Sequence, residues 1–280
     1  MSRLHTHWVI FCVAALPSFS CKKDITSDLQ QVSSSVSGDS YKETSPPVQT
    51  PVSYAINSNI GGYLEALPAS YAKHAKKKYP LIIFLHGLGE TGNGTTDLYK
   101  VAVNAVPKLI QDGQFPSNFT VKDKYFQFIV LSPQFKDWPQ PSDVNAVLNL
   151  AIQKYRVDTM RVYVCGLSMG GGATWDYAID YGKRLAAIVP ISGASWPTTD
   201  KAAKIAQSGV RVWAFHNQDD STVPSWYSIN YVSYINNSNP QVPARLTLFP
   251  VNGHDAWTKA TDPGYKENGK NIYEWMLSKR

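Results

Sequence analysis

The sequence predicts an α/β domain in which a mostly parallel central sheet is flanked by helices on both faces. Two observations carry the prediction. Apolar runs at 81–85, 126–131, 161–165, 185–191, 210–215 and 245–249 alternate with helix-like stretches near 97–111, 143–155, 169–181, 224–236 and 268–279. Strands covered on both faces read as continuous apolar runs, and alternation with helices gives parallel crossovers. The second observation is Gly166-Leu-Ser-Met-Gly170, a glycine-spaced turn wedged between the run at 161–165 and the helix-like stretch behind it.

Taken in chain order, Gly61-Gly-Tyr-Leu-Glu-Ala66 gives a weakly signalled antiparallel strand ahead of the parallel ones. Tyr79-Pro-Leu-Ile-Ile-Phe-Leu85 is apolar with strand length and closes in His86-Gly87. Arg161-Val-Tyr-Val-Cys165 is β-rich and leads into the glycine turn. The helix behind the turn ends at Tyr181-Gly182, where glycine terminates it. Val212-Trp-Ala-Phe-His216 is a buried-strand pattern that runs into Asp219-Asp220 and then a helix start at Pro224. Leu246-Thr-Leu-Phe249 is strand-like and is followed by the loop Val251-Asn-Gly-His-Asp-Ala-Trp257. The chain has no repeat of solenoid period and no phosphate-cradling glycine loop.

Open parallel sheets gather functional loops at the C-terminal ends of their strands, and the glycine turn puts Ser168 there. Gly166 and Gly170 remove Cβ atoms where neighbouring backbone packs closest, so the serine stands on a sharp turn with its hydroxyl above the sheet. The amide of Met169 opens a helix and is suited to hydrogen-bond a developing oxyanion. The amide of Leu88, in the loop after 79–85, is the expected second donor. A serine hydroxyl is a poor nucleophile at neutral pH and needs a base. His254 is the histidine that follows both the serine and a plausible acid, in a loop at a strand end. Asp219 or Asp220 is the acid that fixes its tautomer; capping of the helix ahead of Val223-Pro224 is the competing role for these acids, and one of the two is expected to cap. His86 precedes the turn and reads as a loop-ordering residue bonded to backbone, His216 as a strand-end core histidine, and His74 as part of a basic loop.

The segments YPLIIFLHGLGETGN, GLSMGGGATWDYAIDYGKRLAAIVPISG, DDSTVP and FPVNGHDAWTKA resemble the small secreted α/β-hydrolases labelled predicted peptidases, close to polyhydroxybutyrate depolymerase-like and carbohydrate esterases. The resemblance runs from about residue 53 to the C-terminus and implies the α/β-hydrolase fold over 53–280. Relatives read Asp-x-x-Val-Pro at the acid, which favours Asp220 over Asp219. Their nucleophile, histidine and oxyanion motifs fall on Ser168, His254, Leu88 and Met169. Gly172 departs from the larger residue, often tyrosine, that relatives carry there, and this concerns helix packing or pocket shape. The resemblance implies a cofactor-free serine hydrolase acting through an acyl-enzyme, a carboxylesterase whose substrate is an ester, such as acylated carbohydrate. A peptidase using the same triad is the alternative within the class. A surface glycan-binding protein with a vestigial site is the alternative outside it. Trp138, Trp196 and Trp257 fall in loops after strands or beside motif residues, and Trp196 or Trp257 is the expected stacking contact for substrate.

The N-terminus has the pattern of an export signal over 1–20: a basic start, an apolar run from Trp8 to Leu16 too short to span a bilayer, and small residues before Cys21. Cys21 followed by Lys22-Lys-Asp24 resembles a bacterial lipoprotein junction, although Ser18 stands where leucine is usual. Lipidation of Cys21 and anchoring to the outer membrane or cell surface are the expectation, with an ordinary signal peptide as the alternative. Residues 21–52 turn to Ser, Thr, Gln and Pro without periodicity, and are expected to form a disordered tether. The net charge of +6 includes a dense cluster from Lys73 to Lys78 with no nucleic-acid recognition motif, so a solvated loop is expected and no nucleic-acid partner. The 3 cysteines leave no pair for a disulfide in the domain, and no Cys/His cluster has zinc-ligand spacing.

Overall fold

The computed structural model describes residues 41–278. The expected signal segment and Cys21 lie outside them. In chain order the strands are β1 (Val48–Val52), β2 (Ile60–Leu67), β3 (Tyr79–Leu85), β4 (Phe119–Val121), β5 (Lys124–Phe126), β6 (Ile129–Phe135), β7 (Val157–Leu167), β8 (Ala187–Ile191), β9 (Arg211–Asp219) and β10 (Arg245–Asn252). The helices are α1 (Ala105–Gln111), α2 (Pro141–Lys154), α3 (Met169–Tyr181), α4 (Thr199–Ser208), α5 (Trp226–Asn237), α6 (Trp257–Thr261) and α7 (Ile272–Leu277). Eight strands form one sheet in the order β1-β2-β6-β3-β7-β8-β9-β10. β1 and β2 pair antiparallel at one edge, and every pairing from β6 to β10 is parallel. This is the mostly parallel sheet, covered on both faces, that the alternating runs predict and that the resemblance implies.

The period of two along a strand explains why the central runs are apolar throughout. Leu81, Ile83 and Leu85 of β3 face one core with Val162 and Val164 of β7, while Ile82 and Phe84 face the other with Tyr163, Cys165 and Leu167. The first core is closed by α2, α3, α4 and α5, the second by α1, α7 and the β4–β5 hairpin. Each fully buried large apolar side chain in these layers contributes about 1.5–3 kcal/mol.

Several elements differ from the sequence reading. The tether expected to reach residue 52 ends sooner, because Val48–Val52 is a strand paired with Tyr63–Leu67. As an edge strand it leaves Val48 exposed and accommodates Pro51, so its composition is that of a linker. Ahead of it, the buried Glu43 carboxylate accepts the N–H and O–H of Ser70. The run at 126–131 is two strands, since buried Gln127 interrupts it to hydrogen-bond Asn118 and the Tyr41 carbonyl. The stretch at 97–111 is a 3-10 turn (Leu98–Val103) and then α1, broken where Ala105 takes φ 50°. α4 and α6 have no counterpart in the apolar pattern. α4 is bounded by chemistry the periodicity did not weigh: Thr198 caps its start and Gly209 closes it at φ 76°.

A Cβ on Gly170 would lie 2.1 Å from the Leu85 carbonyl oxygen, a backbone atom that cannot move aside without shifting β3. Gly170→Ala is therefore expected to lower the unfolding free energy by about 3 kcal/mol in urea titration, and Gly89→Ala, which meets nothing within 4 Å, to leave it nearly unchanged.

Candidate active site

Ser168 joins β7 to α3 with φ 51° and ψ −115°, a backbone conformation that L-residues rarely adopt. Main-chain hydrogen bonds hold it there. Its N–H donates to the Ile191 carbonyl (2.9 Å), and its own carbonyl accepts from Gly172 N–H (2.9 Å) and Ala194 N–H (3.0 Å). The glycine at 172 has its reason here: a Cβ would sit 2.5 Å from the Ala194 carbonyl oxygen, so only glycine lets the loop after β8 close on α3.

The loop after β10 brings His254 over this turn. Its Nε2 lies 2.8 Å from Ser168 Oγ and its Nδ1 2.6 Å from Asp220 Oδ2. The geometry requires the proton on Nδ1, donated to the carboxylate, with Nε2 free to accept from the serine hydroxyl. Asp220 is the acid of this chain of contacts. Its Oδ1 accepts the amides of Thr222 and Val223, both at 2.9 Å, and its side chain is fully buried. Asp219, the other candidate, is exposed; its carbonyl accepts Gly253 N–H, and the cap position of α5 falls on Ser225.

The loop after β3 carries the second expected oxyanion donor. Phe135 N–H donates to His86 Nε2 (3.0 Å), which places the His86 proton on Nδ1, where it is donated to the Gly87 carbonyl (2.7 Å). Burial pushes His86 down to about 4, so the ring is a neutral strut between β3 and β6. Glu90 Oε2 accepts Gly87 N–H (2.7 Å) while Oε1 accepts from the Asn104 amide. Burial raises the Glu90 carboxyl above the usual carboxylate range. Leu88 opens the 3-10 turn Leu88–Glu90 and Met169 opens α3, so neither amide has an intrahelical acceptor. Cys165 beneath the turn is fully buried, and burial pushes its thiol up, away from any nucleophilic role.

The two expected aromatic contacts lie in different settings. Trp257 is half-buried, stands perpendicular to the His254 ring at 5.1 Å, and its Nε1–H points to Asn104 Oδ1 at 3.4 Å. Trp196 is 59 % exposed and packs edge-to-face with Trp226 (4.9 Å) and Tyr227 (5.6 Å). Its carbonyl accepts Lys201 Nζ–H at 3.0 Å, which fixes the loop carrying it. Sequence reasoning missed Trp226 and Tyr227, which follow the Asp220 loop directly. It also missed Ser192, whose hydroxyl donates to the His254 carbonyl at 3.0 Å. Nothing in a single sequence marks that serine. His216 is buried as expected, with Nδ1 2.8 Å from Ser228 Oγ and Nε2 2.9 Å from the Val223 carbonyl, but it also reaches Asp220. Among the described residues no three His, Cys, Asp or Glu side chains gather as metal ligands.

Residues 69–261 match the phospholipase/carboxylesterase family of α/β-hydrolases, a span that contains Leu88, Ser168, Asp220 and His254. The chain belongs to that family. Membership places it among the carboxylesterase-type serine hydrolases. Solved structures share the fold. A thermostable esterase is 22 % identical with a TM-score of 0.56, over 82 % of this chain and 62 % of its own. The chain thus spans less than two thirds of that esterase. A ferulic acid esterase is 20 % identical with a TM-score of 0.51, over 75 % of this chain and 91 % of its own. FphF, a fluorophosphonate-binding serine hydrolase of Staphylococcus aureus, is 14 % identical with a TM-score of 0.54, over 76 % of this chain and 94 % of its own. No curated protein matches the sequence.

The buried histidines of this carboxylesterase-family domain make its stability depend on pH. His86 has a folded value of about 4 against 6.5 for the free side chain, so as pH falls the unfolded chain takes up that proton first. Stability is complete above about pH 6.5 and is lost by about 3 kcal/mol as pH drops toward 4. His216, lowered by burial, adds to the loss, and Glu90, raised by burial, opposes it. Denaturant midpoints between pH 7 and 4.5 are expected to show this slope, and His86→Asn to flatten it.

Proposed function

We propose that the protein hydrolyses carboxylic esters through Ser168, His254 and Asp220, and that its substrate is an acyl group carried on a polysaccharide. The observation that carries the reading is the unbroken path from the Asp220 carboxylate through His254 to Ser168 Oγ, with contacts of 2.6 and 2.8 Å, at a strained turn. In this reading Ser168 Oγ attacks the ester carbonyl carbon while its proton passes to His254 Nε2. The carbonyl oxygen takes the negative charge, held by the amides of Leu88 and Met169. Collapse of the tetrahedral intermediate breaks the bond to the alcohol, which leaves with the proton from Nε2. Water then repeats the sequence on the acyl-enzyme, releasing the acid and restoring the serine. Asp220 stays ionised and stabilises the imidazolium in both halves.

The polysaccharide reading draws on the aromatic group of exposed Trp196 and Trp226 with half-buried Tyr227, beside the loop that touches Ser168, and on Trp257 against His254. Rings of this kind stack on the apolar faces of sugars or on aromatic acyl groups. The ferulic acid esterase among the structural neighbours is consistent with such a substrate. The N-terminal pattern adds an exported, lipid-anchored location through Cys21. A metabolic fatty-acid label carried by the wild type and lost in Cys21→Ser is the expected result, and a labelled variant overturns the anchor.

Turnover of acetylated xylan, feruloylated sugars and short aryl esters, but not of peptide amides, is expected, with Ser168→Ala inactive on all of them. Retained ester turnover in Ser168→Ala sinks the mechanism, and preference for amides sinks the ester reading. Leu88→Pro tests the oxyanion donor directly. Proline deletes the N–H, the first helical position tolerates it, and Gly87 at φ −83° and ψ 173° already has the backbone a residue before proline needs. The expected result is a folded protein whose kcat falls by about a hundredfold or more.

A further inference from the structure

The carboxylate of Asp220 faces two imidazoles. His254 Nδ1 lies 2.6 Å from Oδ2, and on its other side His216 Nε2 lies 3.3 Å from the same oxygen. His216 sits on β9, four residues before Asp220, and is fully buried. Its surroundings fix its tautomer. Nε2 meets only acceptors, the Val223 carbonyl at 2.9 Å and Asp220 Oδ2, so it must carry the proton. Nδ1 then accepts from the hydroxyl of Ser228, itself buried on α5, at 2.8 Å. A chain of five side chains results: Ser228, His216, Asp220, His254 and Ser168.

We propose that His216 is a positioning residue of the catalytic site, whose Nε2–H, shared between the Val223 carbonyl and Asp220 Oδ2, completes the hydrogen bonding of the triad carboxylate and limits how strongly that carboxylate holds a proton on His254. The inference rests on the reading of Asp220 and His254 as acid and base. A carboxylate offers about four acceptor sites. Oδ1 takes two backbone amides, and Oδ2 takes His254 and His216. With all four met, the orientation of Asp220 is fixed and its charge is spread. Burial keeps His216 neutral, so it contributes a hydrogen-bond donor rather than a competing positive charge. The titratable groups facing His216 are Asp220 and His254, and its other partners, the Val223 carbonyl and the Ser228 hydroxyl, are uncharged.

Removing the donor leaves Oδ2 more basic and the imidazolium of His254 better stabilised. The test is kcat/KM against pH for a short aryl ester with wild type, His216→Phe, which fills the space without an N–H, and His216→Gln, which restores a donor. In His216→Phe the acid limb is expected to move to higher pH by about half a unit or more, and kcat to fall about tenfold, with His216→Gln recovering most of both. A limb that stays in place or moves down, whatever the loss of stability or rate, reduces His216 to packing and overturns the inference. An active Ser168→Ala overturns instead the reading on which it rests. Nitrogen NMR of the wild-type imidazoles needs no variant. It is expected to show His216 protonated on Nε2 only, neutral at the pH where the enzyme is active, and changing when His254 is protonated. A proton on Nδ1, a charged ring, or a signal indifferent to His254 also overturns it.

Discussion

The backbone of Ser168 is held where an unsupported residue would not stay. A conformation of this kind costs about 1–3 kcal/mol and persists only when its surroundings over-determine it. Here three hydrogen bonds do so, from the end of β8, from the loop behind it and from the first turn of α3. The close approach of main chains around them is permitted by the absence of side chains at 170, 171 and 172, where a Cβ would meet the carbonyl oxygens of Leu85, Ile191 and Ala194. The strain at Ser168 is thus stored in the packing of β3, β8 and α3 around one turn. That packing also presents the Met169 amide beside the hydroxyl it would assist.

Sheet order determines how the other groups reach that hydroxyl. β10 lies three strands from β7, about 14 Å at ordinary strand spacing, so a histidine at the end of β10 cannot meet Ser168 by projecting straight up. Its loop must fold back across the ends of β9 and β8. Three bonds fix it on the way. Gly253 N–H and O meet the Asp219 carbonyl and the Asn217 amide at the end of β9, and the His254 carbonyl accepts from Ser192 at the end of β8. Ser192, itself at φ 46°, is a second strained residue, and its hydroxyl supports the site by holding the His254 carbonyl.

What could be read from the sequence is what local chemistry encodes. Continuous apolar runs declare doubly covered strands, and the glycine spacing around Ser168 declares the turn, because these constraints act within a few residues. The acid was ambiguous between Asp219 and Asp220 because adjacent strand-end residues differ only in which side of the chain they face. The edge strand β1 was hidden because its exposed face carries linker-like residues. Contacts such as Ser192 to His254 and Asn104 to Glu90 and Trp257 span 62, 14 and 153 residues and leave no periodic trace. They are set by tertiary register, which one sequence does not display.

The three histidines near this site separate by hydrogen bonding and burial rather than by residue type. Both ring nitrogens of His86 are committed, one to Phe135 N–H and one to the Gly87 carbonyl, and burial keeps the ring neutral. Both nitrogens of His216 are likewise committed, to Ser228 and to the acceptors at Val223 and Asp220. His86 cannot take up a proton without losing its buried bond from Phe135 N–H, and His216 would have to give up its bond from the buried Ser228 hydroxyl. His254 differs in its exposure and in the hydroxyl it meets. Its side chain is 19 % exposed, its Nδ1–H faces a carboxylate, and its Nε2 faces a hydroxyl that can give up a proton. Of the three, it alone joins partial exposure to a carboxylate behind one ring nitrogen and the Ser168 hydroxyl before the other, which supports the proposed reading of it as the base independently of chain order.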